Sequence, residues 1–173
     1  MKIKTIKIGY TMEDAKEILL KRSNKFSILK TKMLYYPYLK IIFIIKTSKF
    51  ANAKRFNGHV VCTVDMVTGR ESLAKSHGNL EDIEVEDCFV MPSKISEEDA
   101  RKRAALFIGM VVMQKVKVLK IPTVTNIEDE IIYRPFYIVH CKNDTQEDFF
   151  LMFDAVTGQF TPLDTMIQNV NKK

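Results

Sequence analysis

The chain is poor in the residues that build most recognisable chemical sites: among 173 residues there are 3 cysteines, 3 histidines, 6 glycines and 5 prolines. An odd cysteine count without framework spacing excludes a disulfide scaffold and fits a reducing compartment. The histidines are badly placed for metal. His59 and Cys62 lie three apart in a predicted strand and so point to opposite faces, and the adjacent His140 and Cys141 diverge similarly. His77 and Cys88 flank an acidic stretch with no partner at ligand spacing. Gly58 and Gly78 stand alone, so no glycine-rich phosphate loop is present. None of the cysteines carries the local signature of a nucleophile, and Cys62 and Cys141 read as small buried apolar residues. The longest apolar run, residues 41–45, falls far short of the ~20 residues that span a bilayer. Lys4 and Lys7 break up the N-terminal stretch in which a secretory signal would need its apolar segment. These absences lead to the expectation of a cytoplasmic, non-enzymatic protein with no metal and no cofactor.

What is present is repetition and an uneven charge. Asp65-Met66-Val67-Thr68-Gly69 returns as Asp154-Ala155-Val156-Thr157-Gly158. Each is preceded by a proline beside aromatics, Tyr36-Pro37-Tyr38 in one case and Tyr133-Arg134-Pro135-Phe136 in the other. Further upstream stand Thr11-Met12-Glu13-Asp14-Ala15 and Ser96-Glu97-Glu98-Asp99-Ala100. Three landmarks recurring in one order predict two copies of a single structural unit. The expected domains are a first unit over 1–78 with an N-terminal strand, an acidic linker over 79–95 and a second unit over 96–173. A unit of ~65 residues buries only about 60% of its unfolded surface, so the copies are expected to pack together.

The charge is split along the chain. Residues 1–56 carry 14 Lys or Arg against 3 acids, whereas residues 57–100 carry 3 against 10. Two readings follow: the acidic segment around Glu81, Asp82, Glu84, Glu86 and Asp87 folds back on the basic half, or each half meets a different partner.

Local patterns give the elements. Thr11 and Ser96 each stand three residues before an acid, the spacing of a capping box, and predict helices over 11–23 and from 96 to 114 or beyond. Apolar positions Met12, Ala15, Ile18 and Leu19 form one face of the first helix. Ala100, Ala104, Phe107, Ile108 and Val111 form one face of the second. Its opposite face, with Glu97, Glu98, Arg101, Lys102 and Arg103, reads as solvated, and Gly109 suits close packing onto a sheet. Strands are predicted over 27–36, 38–47, 58–65 and 70–74, then over 117–124, 136–142, 149–154 and 159–162. Residues 1–8 could add an edge strand, and the tail from Met166 reads as loose or short helix. In each repeated turn the aspartate is expected to accept bonds from N–H groups two or three residues on, with glycine supplying a positive φ. Pro37 and Pro135 cannot donate to a ladder and are expected at strand starts, bulges or an edge. The fold class expected is α+β: two repeated units, each a helix packed on an antiparallel β-sheet.

These landmarks resemble the PepSY domain: a helix opening Glu-Asp-Ala, an aromatic-led strand, then a strand ending Asp-x-x-Thr-Gly. The matching positions are 13–15, 38–43 and 64–69 in one copy, and 98–100, 137–139 and 153–158 in the other. The resemblance implies a cystatin-like, PepSY-like α+β fold and a non-catalytic role, some members being attached to peptidases and suggested to restrain them.

The functional expectation is a module that binds a protein or peptide, regulating a peptidase or another partner. Strand edges near Pro37 and Pro135 would be the docking strips, with Tyr36, Tyr38, Tyr133 and Phe136 as anchors; filling two cores is the competing role for each. The alternative is binding of nucleic acid or another polyanion by the basic half, through Lys30, Lys32, Lys40, Lys46, Lys49, Lys54 and Arg55 beside tyrosines. Association of copies into a homo-oligomer stays open.

Overall fold

A computed structural model describes residues 1–22, 25–46, 57–74, 78–116 and 123–163. In chain order the elements are β1 (Lys2–Ile6), α1 (Met12–Arg22), β2 (Phe26–Lys46), β3 (Asn57–Asp65), β4 (Glu71–Ala74), β5 (Leu80–Glu84), a 3-10 turn (Asp87–Phe89), α2 (Glu97–Val116), β6 (Thr123–Asn143), β7 (Asp148–Asp154) and β8 (Phe160–Pro162). Both helices begin at the predicted caps. The Thr11 hydroxyl oxygen accepts the Asp14 N–H at 3.2 Å, and the Asp14 carboxylate accepts the Thr11 N–H at 2.8 Å. Ser96 Oγ accepts the Asp99 N–H at 3.1 Å. Acids in the first turn and Lys21 and Arg22 in the last complement the dipole of α1.

The α+β content matches expectation, but the expected arrangement does not. In place of two helix-on-antiparallel-sheet repeats there is a large mixed sheet, 54% of the described residues being strand and 24% helix. The strand order is β4-β3-β2-β6-β1-β5, with β7 pairing β6 and β8 pairing β7. β1 runs parallel to β6 at Thr5↔Tyr133 and antiparallel to β5, so it is internal to the sheet and not an edge. The acidic stretch is therefore partly a strand, and its register sets Glu84 opposite Lys2 and Asp82 opposite Lys4. Opposite charges directly across an antiparallel pair favour that register.

The prolines explain why two predicted strands became one. β2 runs unbroken through Pro37 for 21 residues, and β6 runs through Pro135 for the same length. β3 ends at Asp65, paired with Tyr38, and β7 ends at Asp154, paired with Phe136. The Pro37 carbonyl then accepts the Met66 N–H, and the Pro135 carbonyl accepts the Ala155 N–H, each at 3.1 Å. A residue's N–H and C=O point to the same side of a strand. Each proline nitrogen thus faces the place where its neighbour has just turned away, and no ladder bond is lost. Both prolines are buried, and β2 and β6 lie inside the strand order, so neither proline marks an outer strand of the sheet.

The chain forms two compact units built from interleaved segments. One draws on Met1–Tyr36, Gly78–Met91 and Tyr133–Lys173. Its core sets Ala15 and Leu19 of α1 on Tyr137, Val139 and Cys141 of β6 and Leu151 and Phe153 of β7. The other draws on Pro37–His77 and Pro92–Ile132. Its core sets Ala100, Ala104, Ile108 and Val112 of α2 on Leu39, Ile41, Phe43 and Ile45 of β2 and Cys62 and Val64 of β3. Each helix therefore covers the hairpin belonging to the other set of sequence landmarks. The docking bonds correspond: Lys94 and Ile95 N–H donate to the Met66 carbonyl at 2.8 and 3.0 Å, and Gly9 and Tyr10 N–H donate to the Ala155 carbonyl at 2.9 Å each.

Gly109 is not a close-packing glycine, because a Cβ built there meets nothing within 4 Å. Its only effect is then to weaken α2. Gly109→Ala is expected to stabilise the protein by about 0.5–1 kcal/mol through helix propensity alone, read as a raised urea midpoint with an unchanged slope.

Candidate functional site

The repeated turns are structural. Asp65 Oδ1 accepts the N–H groups of Val67 and Thr68 at 2.8 and 2.9 Å, and Asp154 Oδ1 accepts that of Val156 at 2.9 Å. Gly69 and Gly158 take φ of +76° and +73°. A Cβ at Gly69 would stand 2.7 Å from Ile95 Cδ1, and one at Gly158 would stand 2.9 Å from the Tyr10 ring. Glycine is required at both positions by φ and by the approach of the residue preceding each cap.

Asp154 also holds an ion pair, receiving Arg134 Nη2 at 2.6 Å and Nε at 3.1 Å. Burial pushes this carboxyl up, but the bonds from Arg134, Thr157 and the Val156 N–H outweigh burial and hold it below the ordinary aspartate value. A folded-state pKa below the unfolded one gives stability that is present above about pH 4 and lost as pH falls through the lowered value. Asp154→Asn keeps an acceptor for the turn and loses the charge. It is expected to cost about 1–3 kcal/mol at pH 7 and to flatten the acid limb of a stability-against-pH curve measured by urea unfolding.

The expected anchors are largely internal. Tyr36 and Phe136 are 9% and 6% exposed and meet edge to face at 6.1 Å. Tyr38 and Tyr133 are half-buried, and burial pushes the Tyr133 hydroxyl pKa up. The Tyr133 carbonyl accepts the Thr5 hydroxyl at 3.0 Å. The basic set is divided. Lys30, Lys32 and Lys46 are exposed, whereas Lys40 is buried and paired with Glu130 at 2.6 Å. Lys49, Lys54 and Arg55 lie outside the described residues, as do His77 and the tail from Met166.

Burial raises the Cys62 thiol to about 12 and the Cys141 thiol to about 11, so both stay protonated near neutrality. Among the described residues no three His, Cys, Asp or Glu side chains gather as metal ligands. No described helix is long and apolar enough to cross a membrane.

The feature that the sequence reading passed over is the outer face of α2. Leu106, Met110 and Met113 are 70%, 58% and 43% exposed, at i, i+4 and i+7. They line the side opposite the buried Ala100, Ala104 and Ile108, where a solvated face was expected. The charged residues named for that face occupy the first two turns only. Arg101 there bridges Glu97 and Asp129 at 2.6 and 2.7 Å. The signal was available, since a helix apolar on two opposed sides has a second face that its own sheet does not use. Beside α2, the edge strand β4 exposes Leu73.

Fold and surface together define an α+β protein with a mixed sheet and one externally apolar helix. No family model, curated protein or solved structure matches the chain.

Proposed function

We propose that the chain is a non-catalytic module that binds another protein or peptide, and that the outer face of α2 takes part. The observation that carries this reading is the exposed Leu106–Met110–Met113 stripe. Contiguous exposed apolar side chains mark interaction surfaces, and methionine suits them because its flexible thioether adapts to a partner. The likeness of the landmarks to PepSY modules supports the same reading, a peptidase being one partner of the expected kind. The polyanion alternative keeps Lys30, Lys32 and Lys46, while Lys40 is occupied internally.

The test uses the double substitution Leu106→Glu/Met110→Glu. Both side chains are exposed, so stability is expected to stay within about 0.5 kcal/mol per site. Chemical cross-linking in the native host should then capture a protein with the unsubstituted chain and lose it with the variant. An unchanged set of captured proteins would remove α2 from the account. Recovery of nucleic acid instead, released steeply between low and moderate salt, would favour the basic residues.

A further inference from the structure

Strand alternation divides the β6–β7 hairpin between two faces. α1 packs on Val139, Cys141, Leu151 and Phe153, so the intervening Ile138, His140, Lys142, Phe150 and Met152 point to the other side of the sheet. There His140 and Phe150 stand directly opposite each other in the ladder, and their rings stack at 4.5 Å with planes 14° apart. His140 Nε2 also lies 3.1 Å from Asp148 Oδ2. Toward Phe136 and Met152 this face is buried, but it opens at Phe150, which is 39% exposed. The stack is therefore an aromatic platform that solvent reaches.

β2, the neighbour of β6 in the sheet, brings cations to the same face. Tyr36 meets Phe136 edge to face at 6.1 Å, and Phe26 meets Phe149, the partner of Cys141, at 5.5 Å. β2 thus runs against β6 along this stretch, with Lys30 and Lys32 beside Ile138 and His140. Met33 belongs to the core under α1 and the Thr31 hydroxyl oxygen is buried, so the exposed Lys30 and Lys32 point away from α1. Lys142 joins them from β6, opposite Asp148. None of these three lysines forms an ion pair among the described residues. Asp144 and Glu147 bound the strip at the β6–β7 turn, where Glu147 is engaged by Asn143 and Thr145. Strands lie ~4.8 Å apart, so the lysines of β2 stand ~10 Å from Phe150, within reach of their own long stems.

We infer that this face binds single-stranded nucleic acid, with a base stacked on Phe150 and phosphates at Lys30, Lys32 and Lys142. An aromatic plane beside a row of cations suits a strand whose bases are unstacked, and every base has a π-face, so the binding carries little sequence preference. The platform decides between polyanions. An acidic peptide would meet the same lysines but would leave Phe150 unused, and a duplex keeps its bases stacked within itself. The face is separate from the α2 stripe and does not depend on the reading proposed for it.

The experiment titrates fluorescein-labelled oligothymidylate and oligouridylate with the full chain and reads anisotropy over a range of salt. At ~0.7 per neutralised phosphate, three lysines give a slope of about −2 for log association constant against log salt. Lys30→Gln/Lys32→Gln should bring that slope to about −0.7. Phe150→Ala should weaken binding about five- to 150-fold, the worth of one stacked base, and leave the slope unchanged. Phe150→Tyr, which keeps the π-face, should bind like the parent. Circular dichroism checks that each variant is folded, and Phe150→Leu replaces the alanine variant if that one is perturbed. A chain that ignores single strands at low salt, or binds a duplex of the same length equally well, would overturn the inference. So would a salt slope unmoved by the lysine pair. Undiminished binding in Phe150→Ala, with polyglutamate competing as well as the oligonucleotide, would reduce the face to unspecific attraction of anions and would also overturn it.

Discussion

Replacement of Phe43 by alanine is expected to cost about 3–5 kcal/mol, the range for truncating a buried aromatic, and to loosen α2 while leaving α1 protected. Phe43 is 2% exposed on β2, in the core that Ala100, Ala104, Ile108 and Val112 complete. A cavity there removes contacts from α2, and small alanines cannot collapse into it. Phe153→Ala is the mirror experiment, with a similar cost and with the loss falling on α1, whose Ala15 and Leu19 share its core. Native-state hydrogen exchange reads both outcomes, because amides of a locally weakened element exchange through smaller openings. The reverse pattern, with Phe43→Ala deprotecting residues 12–22, would mean that each helix covers the hairpin of its own half.

The second large effect concerns Lys40. Its side chain is 9% exposed and that of Glu130 is 20% exposed, with Nζ 2.6 Å from Oε1. Lys40→Met alone is expected to destabilise by about 2–3 kcal/mol. That lies below the ~3–5 kcal/mol of a fully buried pair, because the remaining carboxylate keeps some access to water. The double substitution Lys40→Met/Glu130→Leu should recover most of the loss and lie within about 1 kcal/mol of the parent, since no charge is then left without its partner. Urea unfolding of the parent, both single variants and the double variant gives the coupling. A double variant as unstable as Lys40→Met would show that the lysine stem, and not the charge, does the stabilising. Lys40 also shows how a composition argument misleads. In sequence it is one more cation in a basic half, but its register opposite Thr63 on β3 leaves it buried with an acid ninety residues away.

Much of the local structure was legible because its causes are local. Thr11 with Asp14, and Ser96 with Asp99, satisfy free N–H groups within one turn, so the helix starts could be read directly. The same holds for Asp65 and Gly69 and for Asp154 and Gly158, whose bonds span four residues. The prolines were harder. A missing N–H breaks a strand only where a neighbour needs it, and whether β3 and β7 had already ended there is a question of pairing, not of sequence. The candidate surface was partly legible. Leu106, Met110 and Met113 show helical spacing, but that spacing does not say which of two apolar faces the sheet will take. Gly69 and Arg103 are 34 residues apart, and only the docking of α2 brings them together.

The sequence alone determined the caps, the two glycine turns, the presence of both helices and most strands, since each depends on groups within a few residues of one another. Tertiary structure decided which helix covers which hairpin. Both hairpins present apolar faces of similar kind, Leu39, Ile41 and Phe43 in one and Tyr137, Val139 and Phe153 in the other, so local patterning cannot choose between them. Connection decides. α1 ends at Arg22, and the first half of β2 interposes about 35 Å of extended chain before Pro37. β2 does not fold back at that proline, so the half of it that pairs with β3 lies that far along the chain from α1, and α1 packs on β6 and β7 while α2 covers β2 and β3.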